Sequence, residues 1–241
     1  YTGTVLEVTP RTNTIVINAD DFGKTTFTYA STPFVELFGK SSTSMADVRI
    51  GDQVQVTLDT NQDKVQNIRI VQKHMFKVKE KLSYKLTVTD DKGNTFDINS
   101  PTMATISHYD KLFASYSDIT AGSYIMASFI GTSPTTIYIP KASYGVVGAV
   151  DSAKGTFTYT EYGKQERTVS GNTAVSINGS ASAVTALKPD DRIHLVEGKD
   201  GVRWITVLTK QSKTFISYND KEKTMDFTRV TMSENNRFSL M

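Results

Sequence analysis

The sequence has no cysteine among its 241 residues, which excludes a disulfide framework and thiolate metal sites. It also has no apolar run near the roughly 18 residues that a membrane-spanning helix needs, so we expect no membrane partner. Basic residues (27) and acidic residues (25) are intermixed, and the net charge is +2. A nucleic-acid-binding surface needs clustered lysine and arginine, so the sequence predicts no nucleic-acid partner.

Motifs of catalysis are scarce as well. The 15 glycines occur singly, so no phosphate-binding loop is expected, and no Gly-x-Ser-x-Gly elbow is present. None of the three histidines has a partner at the spacing of a metal or catalytic site. Adjacent aspartates in polar turns are better explained by turn chemistry than by acid–base catalysis. The residues concerned are His74, His108, His194, Asp20-Asp21, Asp90-Asp91 and Asp190-Asp191. We predict no enzymatic activity.

The dominant feature that is present is a repeated stretch. Residues 47–58 (DVRIGDQVQVTL) return in variant form at 118–127 and at 187–196. Each copy has an apolar residue, a tight turn and then a strand pattern. Gly51, Gly122 and Asp190 occupy the turn at spacings of 71 and 68 residues. An internal repeat of this length predicts several similar small domains in tandem.

Short runs of β-branched and aromatic residues, bounded by Asn, Asp, Gly and Pro, fill each repeat. The fold class predicted is all-β, with tandem five-stranded barrels of about 70 residues (OB/SH3-like) and short helical inserts. We expect repeats at 1–72, 73–142 and 143–211, and a partial fourth repeat, a β-hairpin tail, at 212–241. Strand content should be at least about 40% and helix below about 15%. Aligned apolar positions include Val8, Val78 and Val150.

Apolar residues alternate along the fourth and fifth strands of each repeat, and we predict that they face the core. They are Val54, Val56, Ile68, Ile70, Ile125, Ile137, Ile139, Ile193, Ile205 and Val207.

One stretch is similar to a metal site. Asp59, Asn61 and Asp63 have the spacing that begins a calcium loop. Lys64 and Ile70, however, stand where that loop requires Gly and Glu. A hairpin turn between two strands fits the same spacing. Cofactors are therefore predicted to be none, with calcium at this turn as the alternative.

Trp204 is the sole tryptophan, and its strand phase predicts that it faces outward or into a junction between repeats. It is either a platform for a sugar or a rim residue that covers a neighbouring repeat. In the tail, Phe215, Tyr218, Phe227 and Phe238 are too apolar to stay solvated unaided. Unpaired strand edges attract other chains, so these residues are interface candidates.

The repeats share a Gly-x-Val-x-x-Val opening and a Leu-Lys-x-Gly-Asp-x-Val turn. The matching residues are Gly3, Val5, Val8, Val48, Gly51, Asp52 and Val54, with Gly145, Val147, Val150, Leu187, Asp190 and Asp191. In these motifs the chain resembles β-rich repeats of surface-layer (S-layer) and related cell-surface proteins of Gram-positive bacteria. Lys73 and Ser123 depart from this pattern in the second repeat. The resemblance implies a structural role and no catalytic residue.

Three functions remain open from the sequence. The first is a structural segment of a secreted cell-surface or S-layer protein, a spacer or self-assembling lattice module whose partners are neighbouring copies. The second is a module that binds cell-wall polysaccharide. The third is an accessory region beside a surface enzyme. In each case we expect an extracellular location at the cell wall, and a segment of a longer protein, since the chain opens inside a strand pattern at Tyr1.

Overall fold

The computed structural model describes residues 1–161, 166–169, 173–177, 180–201, 203–209, 214–221, 224–227 and 230–233. Strands make up 61% and helical turns 7%, so the all-β prediction is confirmed. Contacts divide the chain into two compact units, Tyr1–Val207 and Leu208–Met241, which are described separately. No helix in the described ranges is long and apolar enough to cross a membrane.

The first unit contains seventeen described strands in three groups that follow one another along the chain. The first strand group is β1 Thr2–Thr9, β2 Thr14–Ala19, β3 Gly23–Glu36, β4 Gln53–Leu58 and β5 Lys64–Lys81. The second shares β5 and adds β6 Lys85–Thr89, β7 Thr95–Asn99, β8 Thr105–His108, β9 Tyr124–Ile130 and β10 Ser133–Ile139. The third is β11 Lys141–Asp151, β12 Thr156–Glu161, β13 Glu166–Val169, β14 Thr173–Ile177, β15 Ser180–Ser182, β16 Arg192–Glu197 and β17 Arg203–Val207.

The pairings of the first strand group form a closed cycle. The order is β3-β2-β1-β4-β5, and β3 then pairs with β5 in parallel. The other pairs of the cycle are antiparallel. Tight turns join β1 to β2 and β2 to β3, and Asn13 and Gly23 adopt positive φ there, as such turns require.

The second and third groups repeat this scheme with one strand divided in two, and the third adds β15, which pairs antiparallel with β14. β7 and β8 together stand where β3 stands, and Ser100 (φ 50°) and Pro101 separate them. Proline has no N–H to donate, so the strand is interrupted there. β8 pairs in parallel with β10, and β14 pairs in parallel with β17, as β3 does with β5.

Each strand group encloses its own hydrophobic core. The first core is built from residues between Val5 and Ile70, the second from residues between Phe76 and Ile139, and the third from residues between Val147 and Ile205. Of the ten core positions that the sequence predicts, nine are buried. Val207, the last residue of β17, is the exception: it is partly buried and packs against the third core.

The repeated turn is the clearest common element. Gly51, Gly122 and Asp190 have φ values of 94°, 85° and 70°. Their N–H groups donate to the carbonyls of Val5, Val78 and Val147 at 2.8, 2.8 and 2.9 Å. A 3₁₀ turn precedes each of them, at Met45–Asp47, Tyr116–Asp118 and Val184–Ala186. The same local structure is therefore built three times.

These bonds correct two details of the predicted alignment. Val5 and Val147, rather than Val8 and Val150, are equivalent to Val78, because the segment between the first strand and the turn differs in length among the copies. Gly3 pairs with Val54, and Gly145 pairs with Ile193. In the second group the equivalent pair is Phe76 with Ile125, so Phe76, and not Lys73, takes the place of the glycine. A Cβ at Gly3 would lie 2.3 Å from the Asn18 carbonyl oxygen.

Two of the three predicted repeat boundaries fall inside observed strands. Residue 72 lies inside β5, a single strand that serves two groups, and residue 142 lies inside β11. Residue 211 is outside the described residues.

The second unit holds a three-stranded antiparallel sheet, with β18 Phe215–Asn219, β19 Thr224–Phe227 and β20 Val230–Ser233 in that order. The sequence predicts only the first two of these strands. The additional strand, β20, pairs Val230 with Phe227 and is too short to give a clear periodic pattern.

Candidate functional site

The first and second strand groups meet around Phe38. Its ring stacks on Phe129, with centroids 3.8 Å apart and an angle of 18°. Phe76 and Phe96 complete an aromatic cluster, at centroid distances of 5.8 and 5.7 Å from Phe38. Gly39 follows at φ 79°, and a Cβ there would lie 2.9 Å from the Phe96 ring. Glycine thus permits the close approach that seats Phe38 on the second group.

A polar bridge lies at the same junction. Asn67 Nδ2 and Arg69 Nε donate to the Glu36 carboxylate at 3.0 and 3.2 Å, and Arg69 Nη2 donates to Ser133 Oγ at 3.2 Å. Burial alone would raise the pKa of Glu36, but the bonds from Asn67 and Arg69 outweigh it and hold that pKa below its ordinary value. Glu36 is therefore ionised at neutral pH and bound to the strand it faces.

The second and third strand groups meet around Trp204. Its side chain is 7% exposed and packs with Tyr124, Val196 and Met75. The Tyr124 and Trp204 rings are edge-to-face at 5.2 Å. The structure thus places Trp204 at a junction between strand groups, with its indole covered, and its predicted role in binding stays a prediction. Burial also raises the pKa of Tyr124.

A cleft of about 470 Å³ opens beside this junction, between β5 and the β6–β7 turn on one side and β14 and β17 on the other. We name it the β5–β17 cleft. Apolar and charged side chains both contribute to its walls. It is lined by Lys73, His74, Met75, Asp90, Asp91, Lys92, Thr173, Ala174, Arg203 and Trp204.

Two ring nitrogens of the cleft have no hydrogen-bond partner within the part of the chain that the structure describes. They are His74 Nε2 and Trp204 Nε1, and both atoms are buried. Burial lowers the pKa of His74, and the Asp90 and Asp91 carboxylates oppose this only in part. His74 is therefore neutral at pH 7. Buried polar groups are normally satisfied, so these two nitrogens are unusual.

The two other histidines do not join this site. His108 accepts from the Asp110 N–H at 3.2 Å and stacks on Tyr109. The ring of His194 lies 5.5 Å from that of Tyr124 and 4.7 Å from that of Tyr144. Among the described residues, no group of three or more His, Cys, Asp or Glu is arranged to hold a metal ion.

The calcium candidate forms a hairpin turn between β4 and β5. Asp59 Oδ1 accepts from the N–H of Asp63 at 2.9 Å and of Lys64 at 3.4 Å. The Asp59 N–H donates to the Lys64 carbonyl at 2.8 Å, and Gln62 has φ 59°. The Asp59 carboxylate thus closes the turn by accepting from the backbone of the two residues that end it.

The tail residues are partly described. Phe215 and Tyr218 lie on β18 with exposures of 52% and 42%, beside Ile216 at 63%. Phe227 ends β19, and Phe238 lies outside the described residues.

The sequence does not indicate Phe38 or His74 as functional positions. Phe38 stands in a loop without a periodic pattern, and only the Phe-Gly pair hints at a close approach. His74 has no partner at a recognisable spacing, since the residues that surround it come from distant parts of the chain.

No protein-family model matches the chain, and no curated protein matches it. Among solved structures, it is similar to the Drosophila Unr CSD456 structure at 12% identity and a TM-score of 0.25, over 88% of this chain and 97% of that one. That structure is a set of cold-shock domains, a class of nucleic-acid-binding modules. The predicted exclusion of nucleic acid is withdrawn, because intermixed surface charge alone does not exclude such a partner.

Proposed function

We propose that the chain is a non-catalytic structural segment, a stiff spacer in a bacterial cell-surface protein of the S-layer type. We also propose that each strand group is a small five-stranded barrel of OB type. The cycle β3-β2-β1-β4-β5-β3 around a separate core supports the barrel, as does its repetition in the next two groups. The resemblance to S-layer repeats supports the surface location.

The observation that carries the spacer proposal is the continuity of β5 through the first junction. Residues 64–70 pair within the first group, and residues 71–77 pair with β9 of the second. The Gly131 N–H donates to the Ile70 carbonyl at 2.9 Å, so the hydrogen-bond ladder does not stop between the groups. A shared strand leaves no free linker residues about which the two groups could swing.

The spacer proposal is tested by a distance measurement within residues 1–207. The chain has no cysteine, so the Thr12→Cys/Ser152→Cys double variant carries spin labels at those two exposed positions only. Pulsed electron–electron double resonance should give one narrow distribution of the distance between the two labels. A control with a Gly-Ser insertion after Pro140 should broaden it. A broad distribution in the uninserted chain would contradict the spacer.

A second candidate function is self-association through the second unit. The exposed Phe215, Ile216 and Tyr218 share β18, an outer strand of the described three-stranded sheet. An exposed apolar edge strand favours addition of a strand from another chain. Deleting 208–241 should abolish concentration-dependent light scattering and keep the circular dichroism of the first unit. Equal association of the truncated chain would remove this candidate.

A further inference from the structure

The second strand group carries four exposed large apolar side chains on its loops and turns. Tyr84, Met103, Leu112 and Phe113 are 65%, 82%, 90% and 89% exposed. We name these four residues the apolar patch. They come from three segments, which are the turn between β5 and β6, the 3₁₀ turn Pro101–Met103 and the loop that follows β8.

Hydrogen bonds bring these three segments together. The Ser100 N–H donates to the Tyr84 carbonyl at 2.9 Å, and the Met103 N–H donates to the Ser100 carbonyl at 3.0 Å. From the third segment, the Tyr116 hydroxyl donates to the Leu82 carbonyl. The patch residues therefore gather around the β5–β6 turn, at one end of the second group. Large exposed apolar surfaces of this kind mark sites of interaction.

The loop that presents Leu112 and Phe113 is fixed by polar contacts on both sides of them. Lys111 Nζ donates to Asp118 Oδ1 at 2.6 Å, and the Ser115 N–H donates to Asp118 Oδ2 at 2.9 Å. A loop that is already ordered loses little conformational freedom when it binds a partner. The two apolar side chains are thus held outward in a preorganised position.

The fold does not require apolar residues at these positions. Each group has a 3₁₀ turn before the repeated turn, and the loop positions can be counted back from it. Leu112 and Phe113 then correspond to Ser41 and Ser42 in the first group and to Ser180-Ala181 in the third. The other two copies therefore form the same turn with small side chains. The large apolar pair is a property of the second group, which points to a partner and not to the stability of the fold.

The area of the patch suits a small interface between two copies of the chain. Two aromatic and two aliphatic side chains at these exposures present on the order of 600 Å². Two patches that cover each other bury about 1,200 Å², which is the lower limit for a specific interface. Such an interface is weak, with a dissociation constant on the order of 10–100 μM.

The charges beside the patch allow it to face an identical patch. Lys85 Nζ lies 3.0 Å from Asp97 Oδ2, and Lys111 Nζ lies 2.6 Å from Asp118 Oδ1. Both lysines are thus neutralised within their own chain, so two copies can approach without repulsion between these groups. An excess of one sign would instead favour a partner of the opposite charge.

We propose that two copies of the chain associate through the apolar patch, about a two-fold axis. In such a dimer the same surface is used on both subunits, and the contact closes on itself. The dimer goes beyond the spacer role and does not depend on it. The patch is an alternative to β18 as the site of self-association, and substitutions distinguish the two.

Sedimentation velocity of the full chain tests the proposal. A monomer–dimer equilibrium is expected, with a midpoint on the order of 10–100 μM and no species larger than the dimer. The Leu112→Ser/Phe113→Ser double variant installs the serine pair of the first group. It should fold normally, as judged by circular dichroism, and should weaken dimerisation by about tenfold or more.

Ile216→Ser is the matched control, because Ile216 is 63% exposed on β18 and lies outside the patch. It should leave the dissociation constant unchanged. A chain that stays monomeric throughout this concentration range, growth beyond the dimer, or an unchanged dimer in the Leu112→Ser/Phe113→Ser variant would each overturn the proposal. Loss of the dimer in Ile216→Ser would also overturn it and would assign the contact to the second unit.

Discussion

The junction between the first and second strand groups differs from the one between the second and third. At the first, β5 runs unbroken for 18 residues and the Phe38 ring fills the contact. At the second, the buried Pro140 separates β10 from β11, and Trp204 and Tyr124 pack beside an open cleft. Proline cannot donate to the strand ladder, so backbone continuity ends there. The first junction is therefore filled and its strand is continuous, whereas the second lies beside the open β5–β17 cleft.

The difference arises in the loops and not in the repeated turn. Lys40–Asp47 and Lys111–Asp118 form equivalent ion pairs, which places Gly39 and Asp110 at matching positions. Gly39 adopts φ 79° and lets Phe38 reach the second group. In the second group the loop carries Leu112 and Phe113, which are 90% and 89% exposed. Copies of one fold can thus be joined in two ways by changing a few loop residues.

The largest effect is expected from a substitution that disrupts the filled junction between the first and second strand groups. Phe129→Ala removes a fully buried ring that packs on both Phe38 and the second core. Denaturant unfolding should show a loss of about 3–5 kcal/mol, as for other buried aromatic truncations. Phe113→Ala, at the exposed loop position, is the control and should change stability by less than about 0.5 kcal/mol. Similar losses for the two variants would contradict the assignment of the junction.

The next largest effect is expected from a substitution of Gly39, which tests its close approach to the Phe96 ring. Gly39→Ala should cost about 2–4 kcal/mol, because it combines an unfavourable φ with a Cβ 2.9 Å from Phe96. Gly93→Ala has a similar φ of 88° but no atom within 4 Å, so it should cost only about 1 kcal/mol. The difference between the two, measured by thermal unfolding, is the contribution of the contact. Equal costs would mean that the contact is absent in solution.

A smaller effect tests the buried histidine beside the cleft. The folded pKa of His74 is lowered from 6.5, chiefly by burial, so the unfolded chain binds the proton more readily. Stability from this group is present above the unfolded pKa and is lost as the pH falls below it. The melting temperature should fall between pH 7.5 and 5.5, and His74→Gln should flatten that slope. An unchanged slope would show that His74 does not titrate as described.

The smallest expected effect concerns the repeated turn. Asp190 holds φ 70° where the other two copies have glycine. Asp190→Gly should stabilise the third group by about 0.5 kcal/mol, since glycine adopts this conformation without steric cost. The reverse change, Gly51→Asp, should destabilise the first group by a similar amount. A loss of stability in Asp190→Gly would indicate that the aspartate side chain has a role beyond the turn.

The sequence predicts those features that depend on local chemistry. The turn at Gly51, Gly122 and Asp190 follows from residues that tolerate positive φ, and the buried positions on β4, β5, β16 and β17 follow from strict alternation. Phe38 on Phe129, the β5–β17 cleft and the environment of His74 depend on how separate strand groups pack. Residues far apart in the chain create them, so no spacing within one repeat reveals them.

The central claim is that the three strand groups of residues 1–207 form one stiff body. Residual dipolar couplings, measured separately for backbone N–H groups in residues 1–70, 76–139 and 143–207, test it most directly. The account predicts alignment tensors of equal magnitude and orientation for all three sets. Tensors of different magnitude or orientation would show that the groups reorient independently, and would contradict the spacer.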